Sequence, residues 1–362
     1  VNPPSARLPD RTLETMKNQP TIALTDLEPD DFVGLALSAG GKPFHGKMLR
    51  KWLYKHRAAS FDAMTDLPHA LRERLEESHV LHRLTEVAAE HGQDGTSKYA
   101  FGLGDGSVIE TVALPSRNRT TLCLSTQVGC AMGCRFCASG LKGFGRNLTA
   151  GEIVEQFLLG ASRSEWAVSN VVFMGTGEPL LNLDNLIRAI KILNHRDCVN
   201  FGARRITVST IGIPEKMIAL ADCGLQVNLA VSLHAPNDAL RQGIIPTARS
   251  YSIAEILDAA VVYRKKTTRD VTFEYVLLGG VNDAPEHAEE LARLLRPYNC
   301  MVNLIAFNSV PGIGFEPPSQ GGVPLFLKIL QQKKIPVTVR RSRGRDIKAA
   351  CGQLLRVGPT EA

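Results

Sequence analysis

Three cysteines, Cys130, Cys134 and Cys137, stand in the short run Cys130-Ala131-Met132-Gly133-Cys134-Arg135-Phe136-Cys137. Thiolates at that spacing can wrap one compact centre, and soft sulfur ligands select iron–sulfur clusters or zinc. Structural zinc asks for four ligands in paired short spacings. No fourth Cys or His lies near, and the residues that follow, Leu141, Lys142, Phe144 and Arg146, are poor metal ligands. Three thiolates on a cubane leave one iron open to a further ligand. The spacing therefore favours a catalytic cluster, with structural zinc as the competing reading.

Other residues gain meaning from their place beside this loop. Gly175-Thr176-Gly177-Glu178-Pro179 ends the next predicted strand; its glycines let backbone approach a ligand, and Glu178 offers a carboxylate to an ammonium group. Ser209, Ser232 and Asn308 fall near strand ends, where the ordinary role of a hydroxyl or amide is to cap backbone. His234, taken alone, is an ordinary hydrogen-bonded histidine. Cys351 follows Arg340, Arg341, Arg343, Arg345 and Lys348, and positive neighbours favour a nucleophilic thiolate. Cys198, Cys223 and Cys300 read as small buried hydrophobes. Cys123, between Leu122 and Leu124, fits a packed strand equally well, and Glu110 fits a solvent-facing one.

The elements that must position these residues follow from periodicity. Residues 25–95 read as helical, with Phe44, Met48, Leu49, Trp52 and Leu53 on one face and a second pattern at Leu67, Leu71 and Leu75. From Lys98 the period becomes two, and Lys98–Leu103 with Ser107–Leu114 predicts a hairpin around Gly104-Asp105-Gly106. Strands are then expected at 121–126, 170–174, 205–210, 227–233, 271–277 and 301–307, and a last one at 336–341. Helices fit between them, two announced by the capping boxes Thr149/Glu152 and Ser252/Glu255. Strands alternating with helices make parallel βαβ units. Six are too few for an eight-stranded barrel, so the fold class expected is α/β: an open, six-stranded partial βα barrel with an N-terminal helical domain and a β-hairpin extension. The boundaries expected are 1–24 disordered, 25–95 helical accessory, 96–115 hairpin and linker, 116–347 core and 348–362 C-terminal segment.

Composition sets wide bounds. A chain of 362 residues, 44% hydrophobic, buries a large core. Eight cysteines with three clustered and no secretory signal suggest reduced thiols and metal chemistry, not a disulfide framework. No apolar run reaches transmembrane length. The chain is read as cytoplasmic, with no membrane partner. A net charge of +6 permits an anionic partner without demanding one. The run Lys42–Arg57 is sharper: it holds six Lys or Arg and no carboxylate, with Lys47, Arg50, Lys51 and Lys55 expected on one face. Ordinary solvated helices mix signs, so this face suggests phosphate contact.

Together the three-cysteine loop and the Gly-Glu-Pro strand end resemble the radical S-adenosylmethionine superfamily. More narrowly, Gln127–Cys130, Arg146–Thr149, Met174–Asn182, Ser232–Asp238 and Ala349–Leu354 resemble the RlmN family, and the likeness runs from about residue 25 to 356. It implies a 4Fe-4S cluster on Cys130, Cys134 and Cys137. It also implies S-adenosyl-L-methionine held by Gly177, Glu178, Ser209, Ser232, Leu233, His234 and Asn308. The activity implied is methylation of carbon-2 of an adenosine in 23S rRNA, and of an adenosine beside the anticodon in tRNA, with two S-adenosylmethionine molecules per turnover. Cys351 would accept a methyl group from the first, and a 5′-deoxyadenosyl radical from the second would take hydrogen from that methyl. The carbon radical would add to the ring, Glu110 would remove the ring proton, and Cys123 would release the product by forming a disulfide with Cys351. An electron donor such as flavodoxin and a monomeric chain complete what the resemblance implies.

At His45, Met48, 315–319 and Lys348 the chain departs from the family's usual residues, none of them assigned to chemistry. The rival readings are the related carbon-8 adenosine methyltransferase and, from another class, a non-catalytic metal-stabilised RNA-binding protein.

Overall fold

The computed structural model describes residues 22–141, 143–340 and 342–354, and the chain divides into two compact units, Val1–His82 and Arg83–Ala362. The expected disorder of 1–24 lies mostly outside the described residues. Within them, Ile22–Ala23 pairs in parallel with His79–Val80, and Ala23 and Leu24 are fully buried, so residues 22–24 are ordered where disorder was expected. Lys142 and Arg341 also lie outside the description.

Apolar residues at helical spacing build the first unit. Helices α1 (Asp31–Ser38), α2 (Pro43–Lys51) and α3 (His69–Ser78) bury Phe32, Ala36, Leu49, Leu71 and Leu75. Pro43 fits the first turn of α2, where its missing N–H costs nothing. Gly46 lets α2 close on α1, since a side chain there would strike the Phe32 carbonyl. After α2 one π-turn, Trp52–His56, ends at Arg57 in the left-handed region, φ 53°. Two expectations for α2 need correction. Phe44 is exposed, not packed, and Arg50 is buried, not on the charged face; its Nη1 donates to the Pro29 carbonyl at 2.5 Å.

The second unit carries a ten-stranded sheet. Its strands are β1 (Thr85–His91), β2 (Ser97–Gly102), β3 (Val108–Ser116), β4 (Arg119–Cys123), β5 (Val168–Phe173), β6 (Ile206–Thr210), β7 (Asn228–Ser232), β8 (Val271–Leu277), β9 (Met301–Ala306) and β10 (Val337–Arg340). They follow one another in chain order across the sheet. Strands β4 to β10 pair in parallel, while β1 to β4 form an antiparallel meander. The expected open βα arrangement is present, but its parallel run has seven strands, because β10 extends the six. The hairpin also gains a strand: 85–91 lies in the stretch expected to be helical. Every residue of β1 is exposed, so this edge strand has no buried face to print a period-two signal.

Helices α4 (Ala150–Arg163), α5 (Leu183–Asn194), α6 (Pro214–Asp222), α7 (Asp238–Ile244), α8 (Ile253–Thr267), α9 (Pro285–Leu295) and α10 (Gly322–Gln332) connect the parallel strands. Both expected capping boxes close, at Thr149/Glu152 and Ser252/Glu255. Among the described residues no helix is long and apolar enough to cross a membrane.

Candidate active site

The loop that carries the cysteines is fixed at both ends. After β4, the Ser125 N–H and the Thr111 hydroxyl donate to Oε1 of Gln156 on α4, at 2.8 and 2.9 Å. Asn182 Nδ2 donates to the carbonyls of Thr126 and Leu148, both at 2.8 Å. Arg146 forks onto the Glu152 carboxylate with two 2.8 Å bonds. In the loop itself Arg135 N–H donates to Ile244 of α7, and Ala138 N–H to Gly352 at 2.7 Å, which lays the Cys351 segment against the cysteines.

A cleft of about 920 Å³ opens at the C-terminal ends of the parallel strands, lined by Cys130, Cys134, Cys137, Gly177, Glu178, Ser209, Ser232, His234, Asn308 and Cys351. These ten come from six stretches of the chain, 130–137, 177–178, 209, 232–234, 308 and 351, which meet at one end of the sheet. Leu233 differs: its side chain is fully buried and does not line the cleft. Gly177, at φ 110°, presses so closely on Gln127 that a Cβ would lie 2.6 Å from the Gln127 Cβ. Glu178 is buried, and its carboxylate accepts the N–H groups of Leu180 at 3.0 Å and Ile211 at 2.9 Å. Burial nevertheless pushes its carboxyl up to about 7. His234 stands at φ 59° and its Nδ1 accepts the Val276 N–H at 3.0 Å. Burial, with the Arg241 charge nearby, holds its imidazole down to about 3, so the ring is neutral and Nε2 carries the proton.

A second cleft of about 900 Å³ adjoins the first, and Cys351, Met174, Ile305 and Arg340 line both. Cys123 lines only the second, on the neighbouring strand wall with Val112 and Leu114. Its burial, and then the charge of Cys351, push the Cys123 thiol up to about 12. Glu110 lines neither cleft. It shares the β3 face of Val112, is buried, and meets Lys98 Nζ at 3.2 Å, which also meets Glu90 at 2.9 Å. The expectation of a solvent-facing carboxylate is thus replaced by a buried ion pair.

Sequence reasoning missed one residue here. Glu274, midway along β8, lines the first cleft; its Oε2 accepts from Asn303 at 2.9 Å. Burial pushes its carboxyl up to about 7 against the opposing pull of Arg340. The lone charge in the strand run Val271–Leu277 was the available signal. Arg340 was legible only as a chain neighbour of Cys351. In the fold its charge faces Cys351 first, then Glu274 and Cys123, which together raise its pKa. Half-buried Arg343 donates to Pro115 O, and Arg345, which stays exposed, donates to Asn308 Oδ1.

Residues 124–295 match the radical SAM superfamily and residues 22–81 the ribosomal RNA large subunit methyltransferase N-terminal domain. The dual-specificity RNA methyltransferase RlmN of Anaeromyxobacter dehalogenans is 46% identical over 93% of each chain. The probable RlmN of Thermus thermophilus is 48% identical over 87% of this chain and 89% of its own. The chain belongs to the RlmN family. A crystal structure of a radical SAM methyltransferase from Sphaerobacter thermophilus superposes with a TM-score of 0.90 at 46% identity, covering 92% of this chain and 99% of that one. This RlmN-family chain is therefore an enzyme, a radical SAM methyltransferase, and its cofactors are a 4Fe-4S cluster and S-adenosylmethionine. The readings as a zinc-stabilised or non-catalytic protein fall.

The residues present fit both groups. Burial pushes the thiol of Cys130 up to about 12, that of Cys134 well above the usual range, and that of Cys137 upward. A bare thiolate is disfavoured there, and a cluster's iron supplies the missing positive charge. Among the described residues no three His, Cys, Asp or Glu side chains converge as a single-ion site. A cluster asks for something different, one thiolate at each of three irons. The first cleft sets polar groups on a largely apolar wall, as a small-molecule site does.

Proposed function

We propose that this enzyme methylates carbon-2 of an adenosine in 23S rRNA, and of an adenosine next to the anticodon in tRNA, through a methylated Cys351. The observation that carries the reading is the position of Cys351, shared by the cleft of the three cluster cysteines and the cleft of Cys123. When bound, the cluster and S-adenosylmethionine supply one-electron cleavage of the sulfonium and a hydrogen-abstracting radical, the hard chemistry that a cofactor carries. The chain's residues do the rest. Cys130, Cys134 and Cys137 hold the cluster, while Gly177, Glu178, Ser209, Ser232, His234, Asn308 and the Leu233 backbone orient the S-adenosylmethionine.

Cys351 sulfur displaces the sulfonium methyl of a first S-adenosylmethionine: a new S–C bond forms, the sulfonium S–C bond breaks, and S-adenosylhomocysteine leaves. This step answers a chemical difficulty, since carbon-2 of adenine is too weakly nucleophilic for direct transfer. After the methyl carbon is joined to the ring, Glu110 takes the ring proton and Cys123 attacks Cys351 sulfur. A Cys123–Cys351 disulfide forms as the bond from Cys351 sulfur to the bridging carbon breaks, that carbon takes up a proton to complete the methyl group, and the electron left by the loss of the ring proton would return to the cluster. The adjacency of the two thiols supports the last step. Glu110 is given the proton transfer on the family resemblance alone, since it lines neither cleft and is paired with Lys98. A flavodoxin-like donor, a monomeric chain and a cytoplasmic location belong to the same proposal.

Two variants test it. Cys351→Ala is expected to abolish methylation of both protein and RNA. Cys123→Ala is expected to stop at the adduct, leaving RNA joined to Cys351 through one carbon. Nuclease-treated denaturing gels and peptide mass spectrometry detect the crosslink, and mass spectrometry of RNA from the wild-type reaction locates the methylated atom. RNA methylation by Cys351→Ala, or a mark at carbon-8, would overturn the reading.

A further inference from the structure

Arg241 is the largest fully buried side chain in the protein's described residues, with no exposed surface. It lies on α7 directly behind the cysteine loop, whose Arg135 N–H bonds to Ile244 at the end of that helix. Cys134 packs against the apolar cluster formed by Ile244 and Ile245, with Leu240 beside it. The guanidinium donates to three carbonyls: from Nε to Leu233 at 3.2 Å, and from Nη2 to Ile211 and, at 3.4 Å, to Ser232. These carbonyls cap β6 and β7, so one side chain ties together two strand ends that border the first cleft. The remaining nitrogen, Nη1, has no partner among the described residues.

A buried N–H without an acceptor calls for an explanation. So does a buried cation with no carboxylate at salt-bridge distance among the described residues. Both point the same way. Among the charges that reach the Cys134 thiol, Cys137, Cys130, Glu178 and Arg241, only Arg241 is positive. Seen from Arg241, the first opposing charge is Cys134 sulfur, ahead of Asp238. The geometry agrees: the helix that carries Arg241 meets the cysteine loop at the Arg135 N–H to Ile244 bond, and Cys134 packs with Ile244 and Leu240 of that helix.

We propose that Arg241 is the fixed outer-sphere counter-charge of the iron–sulfur cluster, raising its reduction potential while its carbonyl bonds hold the S-adenosylmethionine-binding strand ends in place. The physical reason is charge. Reduction adds one electron, and with it one unit of negative charge, to a buried cluster that already carries three thiolates. A cation held in the same dry interior stabilises the reduced form more than the oxidised form. Because Arg241 lines neither cleft, it is a positioning and tuning residue and not a catalytic one.

This inference rests on the assignment of Cys130, Cys134 and Cys137 as cluster ligands, and the experiment separates the two. Protein reconstituted anaerobically with iron and sulfide is titrated with dithionite as the one-electron reductant, and the reduced cluster is followed by electron paramagnetic resonance. Wild type, Arg241→Lys and Arg241→Met are compared for iron content, midpoint potential and S-adenosylmethionine affinity. Arg241→Met is expected to load its cluster fully but to be harder to reduce by a factor of ten or more in equilibrium constant, about 59 mV for a one-electron couple. Arg241→Lys keeps the charge and is expected to stay within threefold of wild type in that constant, while losing S-adenosylmethionine affinity with its carbonyl fork. A purely structural role would move the two variants together. A fully loaded Arg241→Met cluster at the wild-type potential overturns the proposal. If Arg241→Met does not fold, a tenfold drop in Arg241→Lys does the same. Full cluster loading in Cys134→Ala would instead remove the ligand assignment.

Discussion

A carboxyl group in an apolar cleft is driven toward its neutral form, and a nearby cation pulls it back. Glu274 feels both, and burial wins, so its folded pKa of about 7 lies above the 4.5 of an exposed glutamate. The sign of the linkage follows: the folded state holds a proton that the unfolded chain releases between those values. Stability at this site is therefore full below about pH 4.5 and is lost as pH rises through 7, by on the order of 3 kcal/mol at most. Glu274→Gln is expected to raise the melting temperature of the apo protein at pH 8 relative to wild type and to leave it nearly unchanged at pH 5. Equal shifts at both pH values would show that ionisation is not the cause. Glu274 also marks the limit of what the sequence makes legible. Cys130, Cys134, Cys137, Gly177 and Glu178 announce themselves because their chemistry is packed into short runs. Glu274 acts through Asn303, and Arg340 also through Glu274 and Cys123, partners far away in the chain, and no spacing records those meetings.

Among the secondary-structure elements, α2 shows how one charge pattern hides two roles. Lys47, Lys51 and Lys55 recur every four residues and are all exposed, whereas Arg50 turns inward to the Pro29 carbonyl. A helical repeat places residues three apart, such as Lys47 and Arg50, near one another but not on the same line, and arginine's long apolar stem tolerates burial. Hydropathy alone does not tell them apart. Strands β2 to β9 were legible because each buries residues on at least one face, whereas exposed β1 left no such trace. Reversing the charge at Lys47, Lys51 and Lys55 together is expected to weaken RNA binding. It should also reduce the slope of log affinity against log salt by roughly two to three, as three phosphate contacts release fewer counterions. Arg50→Ala is expected to spare that slope and to destabilise the first unit by about 1–3 kcal/mol, the cost of a lost buried hydrogen bond from a charged group. Filter binding across a salt series and thermal melts check the two halves separately.

Across the second unit as a whole, the open sheet leaves its far ends to be joined by something other than a ladder, and the segment after β10 does this. Gly344 N–H donates to Asp94 at 3.0 Å, while Asp346 accepts from Gln93 N–H at 2.8 Å, tying the segment to the β1–β2 turn. Further on, Gly352 and Leu354 carbonyls accept from Ala138 N–H at 2.7 Å and the Ser139 hydroxyl at 2.8 Å, just beyond the cysteine loop. Cys351 is thus held from two sides, by the antiparallel meander and by the loop proposed to hold the cluster. Group transfer to a side chain depends steeply on placement, and a misplacement of about 1 Å can cost on the order of a hundredfold in rate. Replacing Asp94 and Asp346 by Ala loosens one side without touching a residue assigned to the cluster or to S-adenosylmethionine. The double variant is expected to load iron and bind S-adenosylmethionine as wild type does, but to methylate Cys351 at least tenfold more slowly, measured by peptide mass spectrometry in a single turnover. A wild-type rate would mean that the contacts at Ala138 and Ser139 alone hold the methyl-accepting sulfur, and that the meander contributes fold but no placement.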